Sequence, residues 1–285
     1  MTAGHDDRHC AAPSPSALME AEVLTNTEVA AGLWRLRLGM PQWSRSEPSP
    51  GQFVMVRVSD DGDPLLGRPF GIAGFWLHGP TAEMEIIFRV VGKGTGFMTR
   101  WSSGSPVRLL GPLGNGFPLP PLGSRCILVA GGVGLPPLLA LARSLESGGR
   151  GGDVLLLYGE ANRDRMLDLD TLPDLGVRFA TCTEDGSCGR EGLVTDLLAA
   201  AEIGEDSLVY ACGPAPMMRA VHERVSGRCL DSFYSLESRM ACGFGVCAGC
   251  AVEVREGDEW TYVRVCSEGP VFSGDLLTER SFRQA

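Results

Sequence analysis

The chain has 285 residues, enough for about two domains and a small appendage. Apolar residues make up 44% and charged residues 21%, which excludes a compositionally disordered chain. The net charge of −10, with no basic patch, argues against a nucleic-acid binder.

The opening segment, "MTAGHDDRHCAAPSPSAL", carries acidic residues, Ala, Pro and Ser, and no apolar stretch of signal-peptide length. Residues 1–18 therefore read as a disordered tail. With no export or membrane signal, the chain is expected in the cytoplasm.

Residues 20–118 are β-rich. "VAAGLWRLRLGM" alternates apolar and polar positions from Leu33 to Leu38, and "GQFVMVRVSD", "AEMEIIFRVVG" and "SPVRLLGPLG" supply further strands. Glycine and proline punctuate them, as in a small β-barrel. One helix, in "GTGFMTRWSSG", is expected to start near Thr95. Within this region Arg68 beside Pro69 sets a fork-shaped cation on a stiffened backbone, which suits a phosphate. Gly94 and Thr95 lie at a helix start whose N–H groups could take another. A surface arginine and an ordinary cap explain these features equally well.

Residues 124–225 change character. Apolar strands in "RCILVAGG", "GDVLLLYGE", "VRFATCTED" and "DSLVYACGP" alternate with helices in "LPPLLALARSLESGG", "EGLVTDLLAAA" and "APMMRAVHERVSG". That pattern predicts a parallel sheet covered on both faces. The long uncharged run between Arg125 and Arg143 holds Gly131, Gly132, Gly134, Pro136 and Pro137, so it reads as strand, loop and helix, not as a membrane span. Gly131, Gly132 and Gly134 expose amides at a helix N-terminus, where a pyrophosphate binds; a plain strand-to-helix turn is the alternative. Cys212, Gly213 and Pro214 end the last strand, on the sheet edge where α/β ligands bind. Glu160, after the second strand, is a candidate acceptor for a ribose 2′-OH, against the alternative of a solvated loop carboxylate.

Ten cysteines without an export signal point to metal or redox chemistry before disulfides. Cys242, Cys247, Cys250 and Cys266 have the order C-x4-C-x2-C-x15-C. This matches the plant-type spacing of a 2Fe–2S cluster, and the intervening glycines let the loop wrap around it. Structural zinc is the competing reading, but its ligands more often come in paired short spacings.

Taken in order, these motifs resemble the ferredoxin–NADP reductase superfamily over roughly residues 20–225. The resemblance implies a β-barrel plus α/β, ferredoxin reductase-like two-domain architecture with a small C-terminal cluster domain. FAD would lie along the barrel against Arg68, Pro69, Phe70 and Gly71, flanked by Ile87, Phe88 and Arg89, with its pyrophosphate at Gly94 and Thr95. NAD would occupy Gly131, Gly132, Gly134, Cys212, Gly213 and Pro214. Gly71 departs from the family, which usually has Ser or Thr there.

"LESRMACGFGVCAGCAVEV", "VRVCSEGPVFSGDLL" and "GPLGNGF" sharpen the likeness. They closely resemble the electron-transfer subunit of type B dihydroorotate dehydrogenase. That implies a tail at 1–18, an FAD-binding barrel at 19–122, an NAD-binding domain at 123–227 and a 2Fe–2S domain at 228–285. It also implies an FMN-containing dihydroorotate dehydrogenase catalytic subunit as partner, in a heterotetramer with two subunits of each type. Electrons would run from that partner through the cluster and FAD to NAD+. No protein acid or base is required, so no catalytic residue is named. Electron-transfer subunits of sulfide dehydrogenases, sulfhydrogenases and NADH-dependent ferredoxin:NADP oxidoreductases are similar and remain the alternative. A metal-stapled nucleotide sensor is the reading from a different class, and the flavin-type motifs weigh against it.

Overall fold

A computed structural model describes residues 17–43, 45–59, 62–172, 175–257 and 259–284. The tail expected at 1–18 lies outside the described residues, apart from Ala17 and Leu18, which open a strand.

Six strands close a barrel. They are β1 (Ala17–Ala30), β2 (Leu33–Met40), β3 (Phe53–Arg57), β4 (Arg68–His78), β5 (Thr81–Arg89) and β6 (Pro106–Leu113), in the order β1-β2-β5-β4-β3-β6. Every pairing is antiparallel. Alternation sends Leu36, Leu38, Val54, Val56, Met84 and Ile86 inward, where each is fully buried. Burying one such side chain stabilises the fold by about 1.5–3 kcal/mol. The helix α1 (Lys93–Met98) starts two residues before the expected Thr95. The reason is local: the Thr95 hydroxyl accepts the Val91 and Gly92 N–H groups at 3.0 and 3.2 Å, capping the helix from its own first turn.

The second layer begins with β7 (Arg125–Gly131), α2 (Leu135–Ser147), β8 (Val154–Glu160), β9 (Arg178–Thr183) and β10 (Arg190–Glu191). It continues with α3 (Val194–Ala200), β11 (Ser207–Cys212) and α4 (Ala215–Val225). On β7, Cys126, Leu128 and Ala130 face the α2 side, while Ile127 and Val129 face α3 and α4. A strand buried on both faces explains the unbroken apolar runs. Helix α2 places Leu135, Leu138, Leu139, Ala142 and Leu145 on one buried stripe, and Gly148 and Gly149 follow its end.

The cysteine-bearing segment adds β12 (Asp231–Ser235), β13 (Ala251–Glu256), β14 (Glu259–Arg264), β15 (Val271–Ser273) and α5 (Glu279–Gln284). Strands β13 and β14 form a separate hairpin. Strands β12 and β15 instead extend the nucleotide sheet, whose order is β10-β9-β8-β7-β11-β12-β15. The sheet therefore runs across the expected boundary at 227/228. One apolar core joins Phe53, Met55 and Leu113 of the barrel, Val129 and Val209 of the sheet, and Cys250, Val252 and Cys266 of the last segment. Among the described residues, no helix is long and apolar enough to cross a membrane.

Candidate functional site

The two turns singled out in the nucleotide half pack against each other. A Cβ on Gly134 would lie 2.2 Å from the Cys212 carbonyl oxygen, so only glycine lets these backbones approach. Gly131 is pressed the same way by the Met217 sulfur and the Pro214 ring. Pro136 and Pro137 carry no N–H and the Leu135 N–H bonds the Gly132 carbonyl, so the donors left for an anion are amides of the turn that begins at Gly132, just ahead of α2. The resulting cavity, about 920 Å³, is lined by Gly131, Gly132, Gly213 and Pro214, with Glu160, Arg165 and Glu184 on its far wall. Gly134 and Cys212 form the contact beneath it.

Glu160 is not a solvated loop carboxylate. Its side chain is 4% exposed and ion-paired with Arg89, with Arg165 3.8 Å away. The buried Tyr158 hydroxyl donates to it at 3.2 Å. Burial, then the nearby Glu160 charge, pushes the Tyr158 phenol well above its usual range.

A second cavity, about 290 Å³, lies between barrel and sheet. Arg68, Pro69, Phe70 and Gly71 at the start of β4, Ile87, Phe88 and Arg89 at the end of β5, and Thr95 all line it. Gly94 adjoins it, and a Cβ there would sit 3.2 Å from the Arg68 guanidinium nitrogen Nε. The cation and the helix start thus meet at one end of the cavity, as a pyrophosphate site requires. Gly71 is roofed by the Pro137 ring, 3.3 Å from where its Cβ would be. A residue with a Cβ there would need the Pro137 ring to give by a few tenths of an ångström.

The opposite wall comes from residues that sequence reasoning did not single out: Ser235, Leu236, Glu237, Ser238, Met240 and Pro270. All but Pro270, which precedes β15, lie at or just after the end of β12, and their role depends on that strand lying beside β11. Arg89, Val91, Val133, Glu237 and Ser238 line both cavities, so the two share a wall. Glu237 is accessible from the cavities yet crowded by protein, and this desolvation raises its carboxyl above the ordinary range. Cys212 sits at the end of β11, where burial pushes its thiol far upward.

The same segment runs on into the cysteine loop. Gly243 and Gly245 have φ of +82° and +88°, and Ala248 has +53°, which folds the loop tightly enough for amides to point at sulfur. The Gly245 N–H donates to Cys266 Sγ at 3.1 Å, the Cys247 N–H to Cys242 Sγ at 3.5 Å, and the Gly249 N–H to Cys247 Sγ at 3.5 Å. Burial alone would raise the Cys242 thiol, but the Cys247, Phe244 and Val246 amides outweigh it and lower it to about 6. Burial, then contact with Cys250, raises Cys266 to about 12.

Cys247 neighbours Cys242, and Cys266 neighbours Cys250 with Cys242 close enough to act on its charge. Among the described residues, no three His, Cys, Asp or Glu side chains are grouped to hold a single metal ion. The C-x4-C-x2-C spacing, with Cys266 brought to the loop through the Gly245 amide, would suit a 2Fe–2S cluster better than the paired short spacings usual for zinc. Asn115, in "GPLGNGF", braces the return of the chain, donating to the Glu268 and Val271 carbonyls at 2.9 Å and accepting the Val271 N–H at 3.0 Å.

Residues 237–278 match the model of the iron-sulfur cluster binding domain of dihydroorotate dehydrogenase B, and residues 128–223 the oxidoreductase NAD-binding domain. The chain is 42% identical to the dihydroorotate dehydrogenase B (NAD(+)) electron transfer subunit of Geobacillus thermodenitrificans, over 80% of this chain and 86% of that one. It is 37% identical to the homologue of that subunit in Aquifex aeolicus, over 90% and 96%. Among solved structures, an NADH-dependent reduced ferredoxin–NADP oxidoreductase studied for flavin-based electron bifurcation superposes with a TM-score of 0.76. It is 24% identical and covers 93% of this chain and 92% of its own. The ferredoxin reductase of a carbazole 1,9a-dioxygenase gives 0.64 at 23% identity, over 75% and 66%. These two likenesses are of fold.

Proposed function

The chain belongs to the family of dihydroorotate dehydrogenase B electron transfer subunits, and from that premise we propose that it carries electrons from a catalytic partner to NAD+ in pyrimidine synthesis. The observation that carries the reading is one continuous stretch of chain. Ser235–Met240 borders the flavin cavity, Glu237 to Arg239 also border the nucleotide cavity, and the same stretch leads two residues later into Cys242. The two cavities thus share one short wall, and the cysteine loop follows it directly along the chain.

Bound there, a 2Fe–2S cluster supplies one-electron transfer, and FAD links single electrons to the hydride exchanged with NAD+. Cys242, Cys247, Cys250 and Cys266 hold the cluster. Arg68, with the amides at Gly94 and Thr95, neutralises the FAD pyrophosphate. The β4 and β5 ends bound the flavin, from Pro69 to Gly71 and from Ile87 to Arg89. Gly131 and Gly132 receive the NAD pyrophosphate above the Gly134–Cys212 contact, and Gly213 and Pro214 close that cavity from the neighbouring strand.

Cys247 is the exposed thiol of the four, and Phe244 and Val246 beside it are 52% and 75% exposed. An apolar rim around an exposed cysteine suits the docking of an electron-donating protein. The proposed partner is an FMN-containing dihydroorotate dehydrogenase catalytic subunit, in a complex with two subunits of each type.

Co-expression with that catalytic subunit, followed by anaerobic isolation and addition of dihydroorotate and NAD+, tests the reading. The expected result is NADH formation in a complex of four chains, lost with Cys247→Ser while FAD is retained. Chains that fail to associate, or a complex that forms no NADH, would overturn it. Retained flavin and iron would then point to another NAD(P)H-linked iron–sulfur flavoprotein.

A further inference from the structure

Strand β5 presents two charged residues four positions apart, hence on one side of the strand: Glu85 and Arg89. Each reaches across to the nucleotide domain and meets the opposite charge. Glu85 bonds Arg143 of α2 at 2.8 Å, and Arg89 bonds Glu160 at the end of β8. All four side chains are nearly buried. Arg143 also donates to the Ala73 carbonyl at 2.8 Å. Arg89 donates to the Ala31 carbonyl at 3.1 Å and to the Arg165 carbonyl at 3.2 Å. The Ala31 N–H in turn donates to the Asp164 carbonyl at 2.6 Å. Arg89 thereby ties the β1–β2 turn, the end of β5 and the segment after β8 into one junction.

The two pairs are alike in chemistry and differ in place. Glu85–Arg143 lies beside Trp76 in a separate crevice. Arg89 and Glu160 line the nucleotide cavity, and Arg89 lines the flavin cavity as well. Glu160 Oε1 is 3.9 Å from where a Cβ of Gly132 would be, beside the turn proposed for the pyrophosphate.

We propose that Arg89–Glu160 is a positioning clasp that sets how closely the nicotinamide cofactor approaches the flavin, with Glu85–Arg143 as its purely structural counterpart. The inference rests on the reading that FAD and NAD exchange a hydride between these cavities. Charge-assisted bonds fix direction as well as distance. A buried pair stripped of one partner leaves an uncompensated charge, so the junction must rearrange. Hydride transfer is sensitive to that rearrangement, since a misplacement of about 1 Å can slow a reaction roughly 100-fold. Arg89 also neutralises Glu160, which would otherwise repel the NAD phosphates.

The test uses the holoprotein with flavin and cluster. NADH is mixed anaerobically and flavin bleaching is followed, separating the limiting rate from the apparent dissociation constant. NAD+ affinity by calorimetry and melting temperature are measured alongside. Glu160→Gln and Arg89→Lys are expected to lower the limiting rate about 10- to 100-fold with flavin content retained. Glu85→Gln is expected to lower the melting temperature and leave the limiting rate at the wild-type value. The clasp is overturned if Glu160→Gln and Arg89→Lys leave that rate unchanged. It is equally overturned if Glu85→Gln slows it as much, since domain stability alone would then account for the loss. Wild-type flavin that NADH does not bleach would overturn the functional reading itself.

Discussion

Two glycine-rich loops serve this molecule, and they need glycine for different reasons. In the nucleotide loop at 131–134 the constraint at Gly134 is space, although Gly132, at φ +55°, is held by conformation. Gly134 lies against the carbonyl of Cys212, and no side chain fits there whatever its conformation. In the cysteine loop at 242–250 the constraint at Gly245 is conformation. Its φ is +88°, while its nearest neighbour is the movable side chain of Ser267 at 3.2 Å. Ala248, with φ of +53°, shows that this loop holds even a residue with a Cβ in the left-handed region. One loop brings two backbones together; the other bends one backbone around sulfur.

That contrast breaks down or sharpens at single residues. The largest effect belongs to Gly134→Ala. A Cβ 2.2 Å from a carbonyl oxygen forces the β7–α2 and β11–α4 turns apart, with an expected loss of about 3 kcal/mol of stability. Chemical denaturation would measure it, and calorimetry should find NAD+ affinity lost with it. Wild-type affinity in this variant would show that the turns need not touch.

Gly245→Ala should cost less, about 1–2 kcal/mol, the ordinary penalty of a left-handed residue. Its signature should be selective: reduced iron content with normal FAD and normal NAD+ binding. A loss as large as that of Gly134→Ala would mean that space, not conformation, governs both loops.

The third consequence is read by chemical labelling. In cluster-free protein, Cys242 is expected to be half-ionised near pH 6, because backbone amides stabilise its thiolate. The sign is that of a lowered thiol, so iodoacetamide labelling should rise between pH 5 and 7. Cys212, whose thiol burial pushes upward, should stay unlabelled throughout that range. Mass spectrometry of the labelled peptides resolves the two. Equal labelling would remove the distinction between an amide-lined loop and a sealed turn.

Local pattern carried much of the architecture. The alternation of apolar strands and helices between 124 and 225 marked the parallel sheet, and each expected strand and helix there is present. In the barrel, β1 and β4 were not named as strands. Strand β1 exposes Glu20, Glu22 and Glu28 along much of its length, and β4 begins with the Arg68–Pro69 motif, so neither displays a clean apolar alternation. Strand β12 is only five residues long, and β15 three, too short for periodicity to speak.

The sequence by itself determined the chemistry that depends on close spacing: four cysteines in cluster order, and glycines where strands turn into helices. These follow from local backbone geometry, which a short stretch of chain encodes. Tertiary structure alone decided that β12 lies beside β11, which places Glu237, Ser238 and Met240 against the flavin cavity. It also paired Glu160, one candidate ribose acceptor, with Arg89, 71 residues away. The physical reason is that strand order and interdomain packing select such partners by the burial of shared core, and no spacing along the chain records which surfaces will meet.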